Sequence, residues 1–178
     1  TRRGGIATYH GPVLKSVPSL DPTSLATLRA WLISGALPDR YALEHVAGDS
    51  REGRLVVGNL ATLCSAIGTP WMPTLPGALL VIEEINEAPY RLDRMLQHLL
   101  QSGLMDGLQG LLFGELRFDG EPLDFMPTWL RDAARAKGFS LARGLPVGHG
   151  PSNTILPIGA RARLAVRGDG AADLQVDL

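Results

Sequence analysis

Four consecutive large hydrophobic residues, 79–82, end directly on the carboxylates of Glu83 and Glu84. A run without polar alternation is typical of a strand that is buried on both faces, as in a sheet covered by helices. Pro89 suits the first turn of a helix, where a backbone N–H would have no partner in any case. Apolar residues then recur at helical spacing up to a glycine that can end the helix, namely Leu92, Met95, Leu96, Leu99, Leu100 and Gly103. The stretch predicts a buried strand and a helix packed by one face, in a mixed α/β fold.

Glu83 is the carboxylate nearest to that apolar run. A carboxylate at the end of a buried strand is partly desolvated, which raises its pKa unless it is paired, and such positions in open α/β folds face the ligand crevice. Two interpretations of Glu84 and Glu87 have equal weight. They are either surface charges or structural partners of Arg91 or Arg94, or they are functional groups. Glu83 is therefore the first candidate for chemistry.

Composition excludes several classes of protein. The chain has 178 residues, of which 45% are hydrophobic and 20% charged, as in ordinary globular domains. A net charge of −1 with dispersed arginines gives no reason to expect a nucleic acid or an anionic membrane as partner. No apolar window approaches the length of a membrane span. The single cysteine, Cys64, excludes an internal disulfide, and no Cys/His clustering indicates a metal, so we expect no metal and no cofactor.

The other periodic segments predict the remaining elements. Predicted strands cover residues 6–9, 41–46, 55–57 and 110–116, with a hairpin formed by 162–166 and 174–178, and predicted helices cover 24–35, 60–67 and 127–137. Ser24 is the expected N-cap of the first of these helices. Residues 1–5 are typical of the last turn of a helix. The weak pattern over 36–54 marks the entry to the main domain.

His149 differs from the other three histidines because it lies between Gly148 and Gly150. Small neighbours leave an imidazole approachable and the backbone free to adopt unusual dihedral angles. A general base needs that exposure and a carboxylate to orient it, and Glu83 is the candidate carboxylate. His10, His45 and His98 are interpreted as surface or structural histidines. No serine lies in a glycine-flanked elbow, and neither a phosphate loop nor a second metal ligand at suitable spacing is present.

Five segments in order resemble the LD-carboxypeptidase family of serine peptidases, the muramoyltetrapeptide carboxypeptidases, which also includes the microcin C self-immunity proteins. The matching segments are Tyr-His-Gly-Pro at 9–12, Gly-Asn-Leu at 58–60 with Ile-Gly-Thr-Pro at 67–70, 81–87 with 89–96, Gly-His at 148–149, and 156–160. Val57 and Glu84 depart from the usual glycine and aspartate of the family. The resemblance covers almost the whole chain, but only the C-terminal part of the family's pattern.

The resemblance implies a Ser-Glu-His triad in which Glu83 orients His149, the general base. In the family the serine follows a glycine and an aromatic residue or histidine, precedes an aspartate, and lies upstream of the segment that matches 9–12. No such segment occurs here. Residues 1–40 therefore resemble the tail of an N-terminal α/β domain, a remnant strand and helix with a linker, and 41–178 resemble a swivelling β/β/α C-terminal domain. The backbone donors of the oxyanion hole also lie upstream in the family, so the chain alone is expected to be inactive.

The implied reaction of the complete enzyme is hydrolysis of the L,D-amide before the terminal D-alanine of murein tetrapeptides, in cytoplasmic recycling of peptidoglycan. Expected partners are this peptide, the missing N-terminal domain and a second copy of the chain in a homodimer. An amide hydrolase of the microcin-immunity type is an alternative, although residues 69–73 resemble the carboxypeptidases slightly more. A non-catalytic binding or dimerisation module is the other alternative, which applies if the natural gene begins at Thr1.

Overall fold

A computed structural model describes residues 6–177, so the helix end predicted at 1–5 lies outside the described residues. The strands are β1 (Thr8–His10), β2 (Arg40–Ala47), β3 (Arg51–Asn59), β4 (Ala78–Ile85), β5 (Gly110–Phe118), β6 (Glu121–Pro122), β7 (Ser140–Arg143), β8 (Leu156–Ile158), β9 (Arg161–Val166) and β10 (Ala171–Val176). The helices are α1 (Pro22–Ser34), α2 (Leu60–Ser65), α3 (Pro89–Gln101) and α4 (Thr128–Lys137), with a 3₁₀ helix at Leu14–Ser19. None of these helices is long and apolar enough to cross a membrane.

Seven strands form a sheet that closes on itself. The order is β4-β3-β9-β10-β2-β7-β5, with β6 beside β5, and β4 also pairs with β5. The pairs β3–β4, β4–β5 and β5–β7 are parallel, whereas β9 and β10 pair antiparallel with each other and with their neighbours. β1 and β8 form a separate two-stranded sheet. The predicted mixed α/β fold of the β/β/α type and the C-terminal hairpin are confirmed.

β4 is the centre of the fold because both of its faces are covered. Leu79 and Val81 belong to a cluster made almost entirely of strand residues, which fills the inside of the closed sheet. Leu80 and Ile82 belong to a second cluster that contains the buried residues of α2, α3 and α4, on the outside of the sheet. Successive side chains of a strand point to opposite faces, so the uninterrupted apolar run supplies both clusters.

Some boundaries differ from the predicted ones. β4 continues to Ile85, so Glu83 and Glu84 lie within the strand rather than after it. α1 begins at Pro22 because Asp21 is its N-cap, and the backbone N–H of Ser24 donates to the Asp21 carboxylate at 2.7 Å. The strand β7 was not predicted, since four residues are too few for a clear period.

Candidate active site

Glu83 and His149 are in direct contact. Oε2 of Glu83 lies 2.7 Å from Nδ1 of His149, although the two residues are 66 positions apart in sequence. The Glu83 side chain is 2% exposed, whereas that of His149 is 48% exposed. The structure therefore places a half-exposed imidazole on a buried carboxylate.

The alternation of β4 explains where Glu83 lies. Glu83 follows Leu79 and Val81 at intervals of two residues, so its side chain continues the row that fills the inside of the closed sheet. Because β3, β4 and β5 are parallel neighbours, their carboxyl ends lie at the same edge of the sheet. Glu83 therefore occupies the edge at which the 144–155 loop, with His149, crosses the sheet.

The environment of Glu83 raises the pKa of its carboxyl group. Burial is the dominant cause, because it removes water from the charged form. The charge and hydrogen bond of His149, and the Asn59 side chain, partly offset that rise, whereas the negative charge of Glu84 adds to it. An ionised Glu83 accepts the proton on Nδ1, which leaves Nε2 of the imidazole as the proton acceptor. The pair has the arrangement of a general base with its orienting carboxylate.

The burial and the hydrogen bonds of Glu84 contradict its interpretation as a surface charge or a partner of an arginine. It is 4% exposed, and its alternation along β4 points it to the outer, helix-covered face. Oε1 accepts hydrogen bonds from Asn59 Nδ2 at 2.9 Å and from the Ile85 N–H at 2.8 Å, and Oε2 accepts from the Ala61 N–H at 2.7 Å. The carboxylate thus satisfies a backbone donor in the first turn of α2. Glu87 pairs with Arg91 at 3.3 Å, as predicted.

Replacing Glu84 by alanine is expected to lower the free energy of unfolding by about 2–4 kcal/mol, because the partly buried N–H groups of Ala61 and Ile85 would lose their acceptor. Urea unfolding measures the change. Glu87→Ala is the matched control, since the exposed pair of Glu87 with Arg91 is worth about 0–1 kcal/mol. Equal losses in the two variants would show that Glu84 does not anchor α2.

The loop that carries His149 is fastened on two sides. Asn153 is buried, donates from Nδ2 to the carbonyl of Gly148 at 2.7 Å, and donates its N–H to Ser24 Oγ of α1 at 2.9 Å. On the other side, Glu115 of β5 accepts the N–H of Gly150 at 2.6 Å. Neither Asn153 nor Glu115 was predicted from the sequence. The signal that could have indicated them is the pair of glycines around the histidine, which leaves room for a neighbouring side chain.

His10 lies near this site and does not fit the interpretation as a satisfied or surface histidine. It is half-buried, pairs with Leu156 in the register of β1 and β8, and its buried Nε2 has no hydrogen-bond partner within residues 6–177. Burial, and secondly the positive charge of His149, lower the pKa of His10, which favours the neutral imidazole. His45, by contrast, contacts the carbonyl of Gly48 at 2.9 Å at the surface, as expected.

No serine hydroxyl within residues 6–177 hydrogen-bonds to His149. Eight serines bind backbone groups through their hydroxyls, namely Ser16, Ser19, Ser34, Ser65, Ser102 and Ser140 as donors, and Ser24 and Ser50 as acceptors. Ser152 lies close to the Asp21 carboxylate and helps to lower the pKa of that group, after the backbone N–H of Ser24. In the same part of the chain no three His, Cys, Asp or Glu side chains gather as a metal site requires. The described residues thus join an imidazole to a buried carboxylate, and none of their serine hydroxyls bonds to that imidazole.

A pocket of about 990 Å³ lies elsewhere on the surface and does not include the Glu83–His149 pair. Arg54 of β3 borders it and donates from Nη2 to the Thr74 carbonyl at 2.5 Å. The 70–76 loop and the end of β8 form the other walls. The pocket therefore contributes no residue to the hydrogen-bonded pair.

Comparison with known proteins places the chain in a family. The model of the LD-carboxypeptidase C-terminal domain matches residues 52–164. The murein tetrapeptide carboxypeptidase of Pseudomonas aeruginosa is 31% identical over 176 residues, which cover 91% of this chain and 57% of that protein. A relative from Synechocystis sp., provisionally named a carboxypeptidase, is 35% identical over 167 residues, which cover 91% of this chain and 55% of that protein. The chain thus spans about half the length of these relatives.

Solved structures share the fold. The muramoyltetrapeptide carboxypeptidase of Oxalobacter formigenes superposes with a TM-score of 0.77 at 26% identity, over 99% of this chain and 64% of that one. The microcin C7 self-immunity protein has the same fold, with a TM-score of 0.74 at 18% identity over 98% of this chain and 62% of that one. The chain belongs to the LD-carboxypeptidase family, whose C-terminal domain it contains.

Proposed function

We propose that this chain supplies the glutamate and the histidine of a Ser-Glu-His triad to a serine carboxypeptidase. Its substrate would be a murein tetrapeptide, from which it would remove the terminal D-alanine by hydrolysis of the L,D-amide. The observation that carries the proposal is the 2.7 Å contact between the buried Glu83 carboxylate and the half-exposed His149 imidazole. Relatives that are named murein peptide carboxypeptidases support the choice of substrate.

The contact geometry supports a separate role for each of the two residues. Nε2 of His149 would take the proton of a serine hydroxyl as the oxygen attacks the amide carbon, and would then give that proton to the departing amine of D-alanine. Glu83 would hold the proton on Nδ1 and stabilise the imidazolium that forms. Its burial serves this role, because a carboxylate shielded from water interacts more strongly with the adjacent cation.

The serine and the oxyanion-hole donors would come from an N-terminal domain of a longer protein. The relatives extend well beyond the matched region, and the serine hydroxyls at residues 6–177 bond elsewhere. On this proposal residues 1–40 are the tail of that N-terminal domain with its linker, and 41–178 are the C-terminal domain. We further propose that the complete enzyme is a cytoplasmic homodimer that acts in peptidoglycan recycling.

The direct test is release of D-alanine from a murein tetrapeptide by two proteins: the 178-residue chain, and the same chain extended upstream at its genomic locus through the expected Gly-X-Ser-Asp segment. Only the extended protein is expected to release D-alanine, since it alone would contain a nucleophile and an oxyanion hole. The control for residual activity is the same assay of the 178-residue chain at a high protein concentration. Turnover by the 178-residue chain alone would show that the nucleophile lies within it.

The same assay separates the alternatives. A protein of the microcin-immunity type would cleave a peptide–nucleotide amide in preference to the tetrapeptide, and a non-catalytic module would cleave neither substrate in either form. The likeness to the self-immunity protein, at 18% identity, concerns the fold alone. We therefore retain the carboxypeptidase as the proposed function.

A further inference from the structure

Glu115 is a second carboxylate at the His149 loop. It lies on β5, and Oε2 accepts the backbone N–H of Gly150 at 2.6 Å. Its other oxygen, Oε1, accepts from Arg117 Nη1 at 2.7 Å, and both side chains are 19% exposed. Arg117 also donates to the carbonyl of Gly120, so its guanidinium is held at both ends. A mostly buried and charged acceptor thus bonds to the main chain directly after the histidine.

The two glycines around His149 are explained by the same side chain. A Cβ atom on Gly148 would lie 2.8 Å from Cβ of Glu115, and one on Gly150 would lie 2.4 Å from each of its carboxylate oxygens. Both distances are shorter than any ordinary contact. The glycines therefore allow Glu115 to pack directly against the backbone on each side of His149. The two reasons inferred from the sequence also hold, since the His149 side chain is 48% exposed and Gly148 has a positive φ of 155°.

A β-bulge brings Glu115 to this position. Ile82 pairs with Phe113 and Glu84 pairs with Leu116, so β5 contains one residue more than β4 opposite Glu83. The extra residue releases the Glu115 N–H from the ladder, and it donates instead to the carbonyl of Val147 at 2.7 Å. Bulges commonly redirect a side chain next to a functional site. Glu83 and Glu115 consequently approach the same loop from adjacent strands.

We propose that Glu115, held by Arg117, is a positioning residue that fixes the His149 loop so that the imidazole stays on Glu83. Glu83 orients the ring, whereas Glu115 orients the backbone from which the ring extends. A hydrogen bond from an N–H to a carboxylate is stronger than one to a neutral acceptor, which suits a loop that must not shift. This inference rests on the proposed function of the Glu83–His149 pair.

The first test uses steady-state kinetics of the upstream-extended protein. Glu115→Ala is expected to lower kcat for D-alanine release by about 10- to 100-fold, because a misplaced base loses near-attack geometry, while KM changes little. Glu115→Gln, which retains one acceptor oxygen for Gly150, is expected to restore part of that loss. Glu52→Ala, an exposed glutamate on β3 at the opposite end of the strand, is the matched control and should leave kcat unchanged. A kcat for Glu115→Ala equal to that of this control would overturn the inference.

A double-mutant cycle tests the packing directly. Gly150→Ala alone should reduce kcat, since its methyl group would collide with the Glu115 carboxylate. In the Glu115→Ala background the collision is absent, so adding Gly150→Ala should cost much less than it does in the wild-type protein. Additive losses would show that Glu115 and Gly150 do not interact, and would contradict the proposed arrangement.

A spectroscopic readout separates failure of this inference from failure of the proposed function. The Nδ1 proton of His149, assigned by its loss in His149→Ala, should give a low-field NMR resonance that broadens in Glu115→Ala but not in Glu52→Ala. If the wild-type protein releases no D-alanine, the proposed function fails, and this resonance still reports on the loop. If the wild-type protein is active but the resonance is identical in all three proteins, the positioning role fails alone.

Discussion

Replacement of His149 by alanine in the upstream-extended protein is expected to reduce kcat/KM for D-alanine release by about 10⁴-fold, because no other group would accept the serine proton or return it to the leaving amine. Within residues 6–177, His149 is the only histidine that is hydrogen-bonded to Glu83. Initial rates over a range of tetrapeptide concentrations measure the effect.

His45→Ala is the matched control for this substitution. His45 is a surface histidine that contacts the Gly48 carbonyl, so its loss should leave kcat/KM within about twofold of wild type. His149→Ala also leaves Glu83 buried without its partner, so the unfolding free energy of both variants is measured in parallel. A folded His149→Ala protein that retained a tenth of the wild-type activity would remove His149 from the reaction.

Glu83→Gln is expected to lower kcat by about 10³- to 10⁴-fold while leaving the shape of the site intact. Glutamine has nearly the same volume, but its amide carries no charge to stabilise the imidazolium. Its NH₂ group can also donate to Nδ1, which moves the imidazole proton to Nε2 and blocks the base. The loss should appear in kcat rather than in KM, because Glu83 is buried behind His149 and does not face the solvent.

The same substitution is expected to stabilise the protein at neutral pH, because it removes a charge that burial disfavours. Burial raises the pKa of Glu83 in the folded state above its value in the unfolded chain, so the folded state binds the proton more tightly. The contribution of Glu83 to the free energy of unfolding of the wild-type protein is therefore fully present below the pKa that Glu83 has in the unfolded chain. That contribution declines as pH rises through the pKa that Glu83 has in the folded state. Glutamine has no such titration, so the advantage of the variant should grow with pH over that window and then level off.

Chemical unfolding of both proteins across this pH window measures the difference. Glu87→Gln is the control, because Glu87 is partly exposed, pairs with Arg91 and should show no comparable trend. A stability difference between wild type and Glu83→Gln that shrinks as pH rises would contradict the upward shift in the pKa of Glu83. High activity of the glutamine variant would contradict the orienting role.

The elements with the clearest periodicity were predictable from the sequence. Their pattern of buried residues can be recognised within a short stretch of sequence. The examples are the apolar run of β4, the amphipathic face of α3, and the alternation of β9 and β10. β7 was missed because its four residues are buried by strands distant in sequence. The bulge in β5 was also missed, since it depends on the register with β4.

The candidate site was predictable only in part. The residues alone indicated His149 as a candidate base with Glu83 as its candidate carboxylate, and the family resemblance implied the same pair. The hydrogen bonds of Glu84 and Glu115 were not predicted, because both carboxylates accept from backbone N–H groups, and the residue type of a backbone donor does not identify it. Asn153 was also missed because its partner is a backbone group, in this case the carbonyl of Gly148, which accepts from Nδ2 of Asn153.

The alternation along β4 restricts how this protein can evolve. Glu83 and Glu84 are neighbours in the chain, yet one serves the His149 side of the sheet and the other anchors α2. Insertion or deletion of a single residue between Ala78 and Glu83 would exchange their two faces and remove both functions in one event. Substitutions along this strand can accumulate one at a time, whereas a change in its length cannot. We therefore expect homologous genes to align through this strand without gaps, even where the surrounding loops differ in length.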